Sequence, residues 1–394
     1  MATTYSNLRT INGQPIDIHC VDSRFTAAPG PNATFIDCGG QLLLPALVES
    51  HCHLDKTLLG LPWRPNTAGA TIKSMISNER AILRETKVPI ERRAGELVEQ
   101  MVANGSLAIR SHIDIDPEFG LRHVEAMLRV RETYRDVVDM QFVAFPQTGM
   151  LIQPGTVELM EEALKLGVET VGGLDPAGID GDAVAHLKTI FAMAGRHGAG
   201  VDIHLHDGGE LGVWQIERIA DFTEAAGLSG KVMISHAYCL GMVPLARIEV
   251  LACRLADLSI SIMTAVPIDP GIPPVAFLKE HGVNVCCGSD GIRDAWSPFG
   301  NGDMLERAFL LAFRFDWATD EDLSSAFSSA TDAGARAIGL KDYGIAPGHP
   351  ADFIYLPAET VGDALARRPR ERTVVRGGQI VAEGGAFLGS RQIG

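Results

Sequence analysis

Eight short apolar runs, most of them closing on polar or glycine residues, constrain this fold more than any other feature of the chain. They read LLLPALVESHCHLD (42–55), LAIRSHIDID (107–116), MQFVAFPQTG (140–149), ETVGGLD (169–175), GVDIHLHD (200–207), KVMISHAY (231–238), LSISIMTAV (258–266) and VNVCCGSD (283–290). Segments of helical period lie between them, such as VELMEEALKLG (157–167) and DAVAHLKTIFAMAGRHG (182–198). A strand buried on both faces reads as a continuous apolar run. Eight such strands alternating with helices predict an α/β protein, a (β/α)8 TIM barrel. An open doubly wound sheet usually has fewer strands, and no G-x-G-x-x-G follows a strand to supply a dinucleotide site.

The two ends read differently. Residues 1–45 and 345–394 hold strand-like runs split by turn residues, including TINGQPIDIHC and RTVVRGGQIVAEGGAF. Neither piece is long enough for a core of its own. The expected organisation is a barrel over 46–344 and a small β-sandwich built from 1–45 plus 345–394; two independent edge flaps are the alternative.

Composition removes several classes of function. Hydrophobic residues are 46% and charged residues 21%, which excludes a disordered chain. With 34 Lys and Arg against 49 Asp and Glu, the net charge is −15, and a nucleic-acid partner is not expected. The seven cysteines (20, 38, 52, 239, 253, 286 and 287) form no C-x-x-C, which fits reduced thiols in a cytoplasmic protein. The first residues, MATTYSNLRTINGQPIDIHC, lack the apolar core of a signal peptide. No run of 18 uncharged apolar residues occurs, so no membrane association is expected. A homo-oligomer stays open.

In a barrel of this kind, chemistry sits at the C-terminal ends of the strands. Six of the 12 histidines fall at such ends: His51, His53, His112, His204, His206 and His236. Gln147 closes the third run, Asp207 the fifth and Asp290 the eighth. His51 and His53 are two apart, so on a strand both imidazoles face one way, as a chelating pair requires. Taken with a histidine from run five, one from run six and Asp290, the set suits Zn²⁺ or Fe²⁺ and does not suit Ca²⁺ or Mg²⁺.

LPALVESHCHLDKT, FPQTG, VDIHLHD, SHAY and GSD, in this order on successive runs, resemble the amidohydrolase superfamily, in particular its cytosine-deaminase-like branch. The closing DYGIAPGHPADFIYLPAE is similar to that branch's return to the β-sandwich. The resemblance implies one divalent metal ion held by His51, His53, His204 and Asp290. It implies that His236 bonds the activated water or the developing oxyanion, and that Asp290 shares the water's proton. Gln147 matches a glutamine that binds the substrate's ring-amide edge, and Trp296 an aromatic residue of the pocket. No lysine ends run four, so the bridging carbamylated lysine of two-metal sites is absent.

Two departures from the branch stand out. Cytosine deaminases carry H-x-x-E at run five, where the Glu moves protons. Asp207 stands there, with a reach shorter by roughly 1.3–1.5 Å; nearby Glu210 is the alternative carrier. They also carry a second acidic residue after the ligand, and this chain has Gly291, which makes cytosine itself a doubtful substrate. His206 is expected either to touch substrate or to be structural. His112, Asp114 and Asp55 are candidates for supporting a ligand from behind; Lys56 could reach substrate or solvent. Trp63 and Trp214 are read either as lining the mouth or as packing, and Cys286 and Cys287 read as core. The implied activity is hydrolytic deamination of a small nitrogen heterocycle, such as a cytosine-like pyrimidine, a triazine or a related cyclic amidine, releasing ammonia or a small amine. Ring opening of a cyclic amide or imide is the competing reaction, and a binding barrel without turnover is the third.

Overall fold

The computed structural model describes residues 2–67, 69, 71–268 and 271–389. Its centre is an eight-stranded sheet whose strands follow one another in chain order. The barrel strands are Leu47–Cys52, Ser106–Asp114, Asp139–Phe145, Thr170–Leu174, Gly200–Leu205, Val232–His236, Ser261–Thr264 and Val285–Cys287. All neighbouring pairs are parallel. A parallel bridge between Cys52 and Asp290 joins strand one to the end of strand eight, with the Asp290 amide donating to the His51 carbonyl at 2.9 Å. The sheet thereby closes into the expected barrel, with helices covering it.

Local chemistry fixes the element ends. The run at 182–198 forms a helix over Ala183–His197. Asp182 caps it by accepting from the Ala185 amide, and Gly198 ends it at φ 66°, a conformation glycine adopts without strain. The run at 258–266 is strand only over Ser261–Thr264, because Leu258 still caps the preceding helix, Leu245–Asp257, with its amide.

The apolar run at 42–55 serves two sheets. Leu42–Pro45 pairs antiparallel with Phe353–Leu356, whereas Leu47–Cys52 pairs parallel with Ser106–Asp114. Pro45 lacks the N–H that would carry a ladder onward, and the chain changes sheets there. The segments near both termini hydrogen-bond into one nine-stranded mixed sheet, in which Leu42–Pro45 and Phe353–Leu356 join the two ends. Alternation gives this sheet two apolar faces. Leu43, Phe353, Tyr355 and Val375 pack with Tyr5 and Phe25 in a core of its own. Leu42, Leu44, Ile354, Leu356 and Val374 belong to the main core of the barrel and its helices. Among the described residues no helix is long and apolar enough to cross a membrane. The seven cysteines are all free thiols.

Candidate active site

Distant parts of the chain meet at the C-terminal end of the barrel. The ligand-type atoms of His51, His204, His236 and Asp290 all lie within 4.8 Å of one another, as do those of His51, His53, His112 and His204. Asp290 Oδ1 lies 3.2 Å from His53 Nε2 and 3.6 Å from His51 Nε2. His204 Nε2 is 3.4 Å from His53 Nε2. The imidazoles are buried, while the Asp290 side chain is 37% exposed.

Backbone conformation aims several of these groups. Asp175, His236 and Asp290, each at or just after a strand end, have φ of 36°, 70° and 60°. Side chains alternate along a strand, so Ser235 and His236 would face opposite sides. The left-handed turn at His236 brings its ring within 5.0 Å of His204 and 5.2 Å of His51, centroid to centroid. Such strain in non-glycine residues concentrates at functional sites.

The electrostatics favour neutral imidazoles. Burial, aided by the Lys56 charge, pulls His53 down to about 3. Burial and the neighbouring His51 pull His112 down to about 4. His204 and His236 also fall well below the usual range, chiefly through burial. Burial alone would raise Asp290, but His51 and His53 beside it, with the other nearby imidazoles, hold it well below the usual carboxylate range. Neutral imidazole and ionised carboxylate are the forms that bind metals. His51 Nε2, His53 Nδ1, His204 Nδ1 and His236 Nε2 are buried with no hydrogen-bond partner. A buried polar atom left unpaired is costly; a cation at the cluster would satisfy His51 Nε2 and would be met by the Nε2 atoms of His53 and His204, which face each other and Asp290. The residues present fit a metal ion.

Beside the imidazoles lies a second buried polar group. Lys56 Nζ donates to Gln147 Oε1 at 3.0 Å and pairs with Asp114 Oδ1 at 3.2 Å and Glu79 Oε2 at 3.4 Å. Burial would neutralise this ammonium, but the surrounding carboxylates raise its pKa instead. Burial pushes Asp114 and Asp294 up to about 6, and Glu79 well above the usual range, against the pull of Lys56. Trp296 Nε1 donates to Glu79 Oε2 at 2.6 Å, which fixes the indole. Lysine can only donate, so Gln147 must turn its oxygen to Lys56 and its NH₂ elsewhere. Asp55 accepts from the Asp114 amide at 3.0 Å and pairs with His123 Nδ1 at 2.7 Å. Glu79 is absent from the strand-end candidates. Its signal was its place on the apolar stripe Ile72, Ile76, Leu83 of the helix Ile72–Glu85, where a carboxylate needs a partner.

At strand five, His206 and Asp207 both turn toward neighbours. His206 Nδ1 meets Asp175 Oδ2 at 2.9 Å, and its ring stacks on His236 with centroids 4.4 Å apart. Asp175 raises the His206 pKa against the effect of burial. Asp207 Oδ2 accepts from Gln215 Nε2 and from the Gly178 amide, each at 3.0 Å. Glu210 is exposed and bound to Arg247 at 2.9 Å. Trp63 and Trp214 are 67% and 37% exposed, and Cys286 and Cys287 are buried within strand eight. At Gly291, a Cβ would lie 2.3 Å from Asp294 Oδ2, so the space of the missing side chain is filled by that carboxylate. A cavity of about 680 Å³ is lined by Ile76, Arg80, Ile152, Ile179 and Thr148, the residue after Gln147.

A closed parallel barrel with imidazoles and a carboxylate converging at its C-terminal end defines a barrel hydrolase built for a metal ion. Residues 34–382 match the Amidohydrolase family, and the chain belongs to it. It is a hydrolase acting on C–N bonds. Over 356 residues it is 33% identical to N-isopropylammelide isopropyl amidohydrolase of Pseudomonas sp. (strain ADP), covering 88% of each chain. The crystal structure of N-isopropylammelide isopropylaminohydrolase from Burkholderia multivorans ATCC 17616 is similar with a TM-score of 0.95 and 38% identity, covering 98% of this chain and 100% of that one. The 5-methylcytosine deaminase of Klebsiella pneumoniae, liganded with phosphonocytosine, gives a TM-score of 0.84 and 27% identity, covering 99% and 100%.

Proposed function

We propose that this protein hydrolyses the bond between a ring carbon and an exocyclic nitrogen of a small nitrogen heterocycle, releasing ammonia or a small amine. The pyrimidine, triazine and related cyclic amidine rings form its substrate class. The convergence of buried imidazole nitrogens and Asp290 beside an oriented Gln147 amide carries this reading. His51, His53, His204 and Asp290 would hold one ion, Zn²⁺ or Fe²⁺, to which their nitrogen and oxygen donors are suited. When bound, such an ion supplies Lewis acidity and makes a water ligand acidic near neutral pH.

The chain's own residues supply the rest. The Gln147 NH₂ donates to a ring carbonyl of the substrate, and Trp296 packs against the ring. His236 Nε2, buried and unpartnered, accepts a proton from the attacking water, and Asp290 shares it. From strand five, position in the family pattern favours Asp207 as the group that returns a proton to the leaving nitrogen. The geometry supports His206 better. Its ring lies against His236, and Asp175 holds it toward the protonated form. The Asp207 oxygen is already engaged by two donors. Our reading therefore gives proton return and substrate contact to His206, and gives Asp207 the role of holding the loop. A cytoplasmic location accords with the free thiols.

The test is a panel of ring compounds, with and without N-alkyl substituents, given to zinc- or iron-reconstituted protein and scored for free amine. Amine release with the ring intact is expected. A new carboxylate without amine would establish ring opening instead, and no turnover across the panel would overturn the enzymatic reading.

A further inference from the structure

Beneath the imidazole cluster, inside the barrel, lies a chain of buried polar groups with no part in the chemistry above. Asp202 of strand five and Ser235 of strand six are both fully buried. Ser235 Oγ donates to Asp202 Oδ1 at 2.8 Å and lies 2.9 Å from His51 Nδ1. Arg110 of strand two stands 3.5 Å from Asp202 Oδ2 and donates to Gln141 Oε1 at 3.0 Å. His112 Nε2 is 3.4 Å from Asp202 Oδ1.

We propose that Asp202 and Ser235 are positioning residues that fix the proton of His51 on Nδ1 and turn its Nε2 lone pair toward the cation. The inference rests on the metal reading above. The donor count carries it. A carboxylate can only accept, and a serine hydroxyl has one proton to give. Arg110 compensates the buried charge of Asp202, so Asp202 remains the acceptor. The Ser235 proton then goes to Asp202, and the Ser235 oxygen faces His51 with lone pairs only. His51 Nδ1 must be the donor, which leaves Nε2 as the unprotonated nitrogen. That atom is buried and unpartnered, and it lies 3.6 Å from Asp290 Oδ1. Alternation puts Asp202 on the same face as His204, one layer deeper, so one strand supplies both a ligand and the anchor for another ligand.

Partners behind a metal-bound histidine commonly change metal affinity by about 10–100-fold. Two variants divide the chain at different points. Ser235→Ala removes the acceptor that holds the Nδ1 proton. Asp202→Asn offers Ser235 an NH₂ donor, which frees the hydroxyl to donate to Nδ1 and drives the His51 proton onto Nε2. Zinc affinity would be measured by chelator competition, and the visible spectrum recorded after cobalt substitution. Apo-protein melting monitors folding. Ser235→Ala should weaken zinc at least 10-fold, Asp202→Asn more, with an altered cobalt spectrum and Ser235→Ala apo protein still melting cooperatively. Should Asp202→Asn fail to fold without its charge, Ser235→Ala decides alone. Wild-type protein that binds zinc stoichiometrically, with Ser235→Ala binding within threefold and showing the same spectrum, overturns this inference and leaves the metal reading standing. Wild-type protein that binds no metal overturns both.

Discussion

Replacing Lys56 by Met tests the buried polar group most directly. The ammonium contacts Glu79, Asp114 and Gln147 at 3.4, 3.2 and 3.0 Å, and no other cation of the described residues is among these contacts. Its removal leaves two buried carboxyl groups uncompensated. Breaking a buried pair in this way costs about 3–5 kcal/mol. With roughly 2 cal/mol/K of unfolding entropy per residue over 394 residues, the melting temperature should fall by about 4–6 °C. The sign of the pH dependence follows from the carboxyl shifts. Burial already holds Asp114 up to about 6, and it goes higher once Lys56 is gone. A carboxyl group whose folded pKa exceeds its unfolded value carries no penalty below the unfolded pKa. The penalty grows as pH rises through the folded value. The gap between Lys56→Met and wild type should therefore be small at pH 5 and full at pH 8, as read by scanning calorimetry of the two proteins side by side. The reasoning fails if the variant melts within 1 °C of wild type at pH 8 (within about 1 kcal/mol) or if the gap widens on acidification.

Further outcomes follow from the same geometry. Asp207→Asn should keep metal and retain turnover within about tenfold, whereas His206→Gln should lower kcat by about 10²–10⁴ while metal content stays at one per chain; steady-state kinetics with elemental analysis checks both, and the reverse order would return the proton to Asp207. Gly291→Ala places a Cβ 2.3 Å from Asp294 Oδ2 and must displace it; we expect about 1–3 kcal/mol of destabilisation and a raised KM, read by chemical denaturation and kinetics. Asp290→Asn removes the carboxylate that, among the described residues, joins the converging imidazoles; zinc retained after dialysis against a weak chelator should fall below one-tenth of wild type (about tenfold per 1.4 kcal/mol).

The barrel and the imidazoles were legible because each depends on a local period. Apolar runs marked the eight strands, and His51, His53, His204, His236 and Asp290 stood at their ends. What stayed hidden depends on contacts between distant residues. Lys56 sits in plain view after the histidine pair, yet its partners come from a helix, from strand two and from the loop after strand three. No local period announces such a meeting. His236 faces the site only because its backbone is left-handed, which strand alternation does not foresee. Asp207 matched a spacing pattern, but Gln215, eight residues on in the next helix, decides where its carboxylate goes.

The seam of the barrel runs through the site. The first and last strands meet where the Asp290 amide bonds the His51 carbonyl, and the side chains of these same two residues face each other across it. An ion shared between them would act as a clasp on a hoop, tying together stretches far apart in the chain. Such a cross-link removes much of the freedom of the open chain. Emptying the site would then loosen the hoop at the joint where it was fastened.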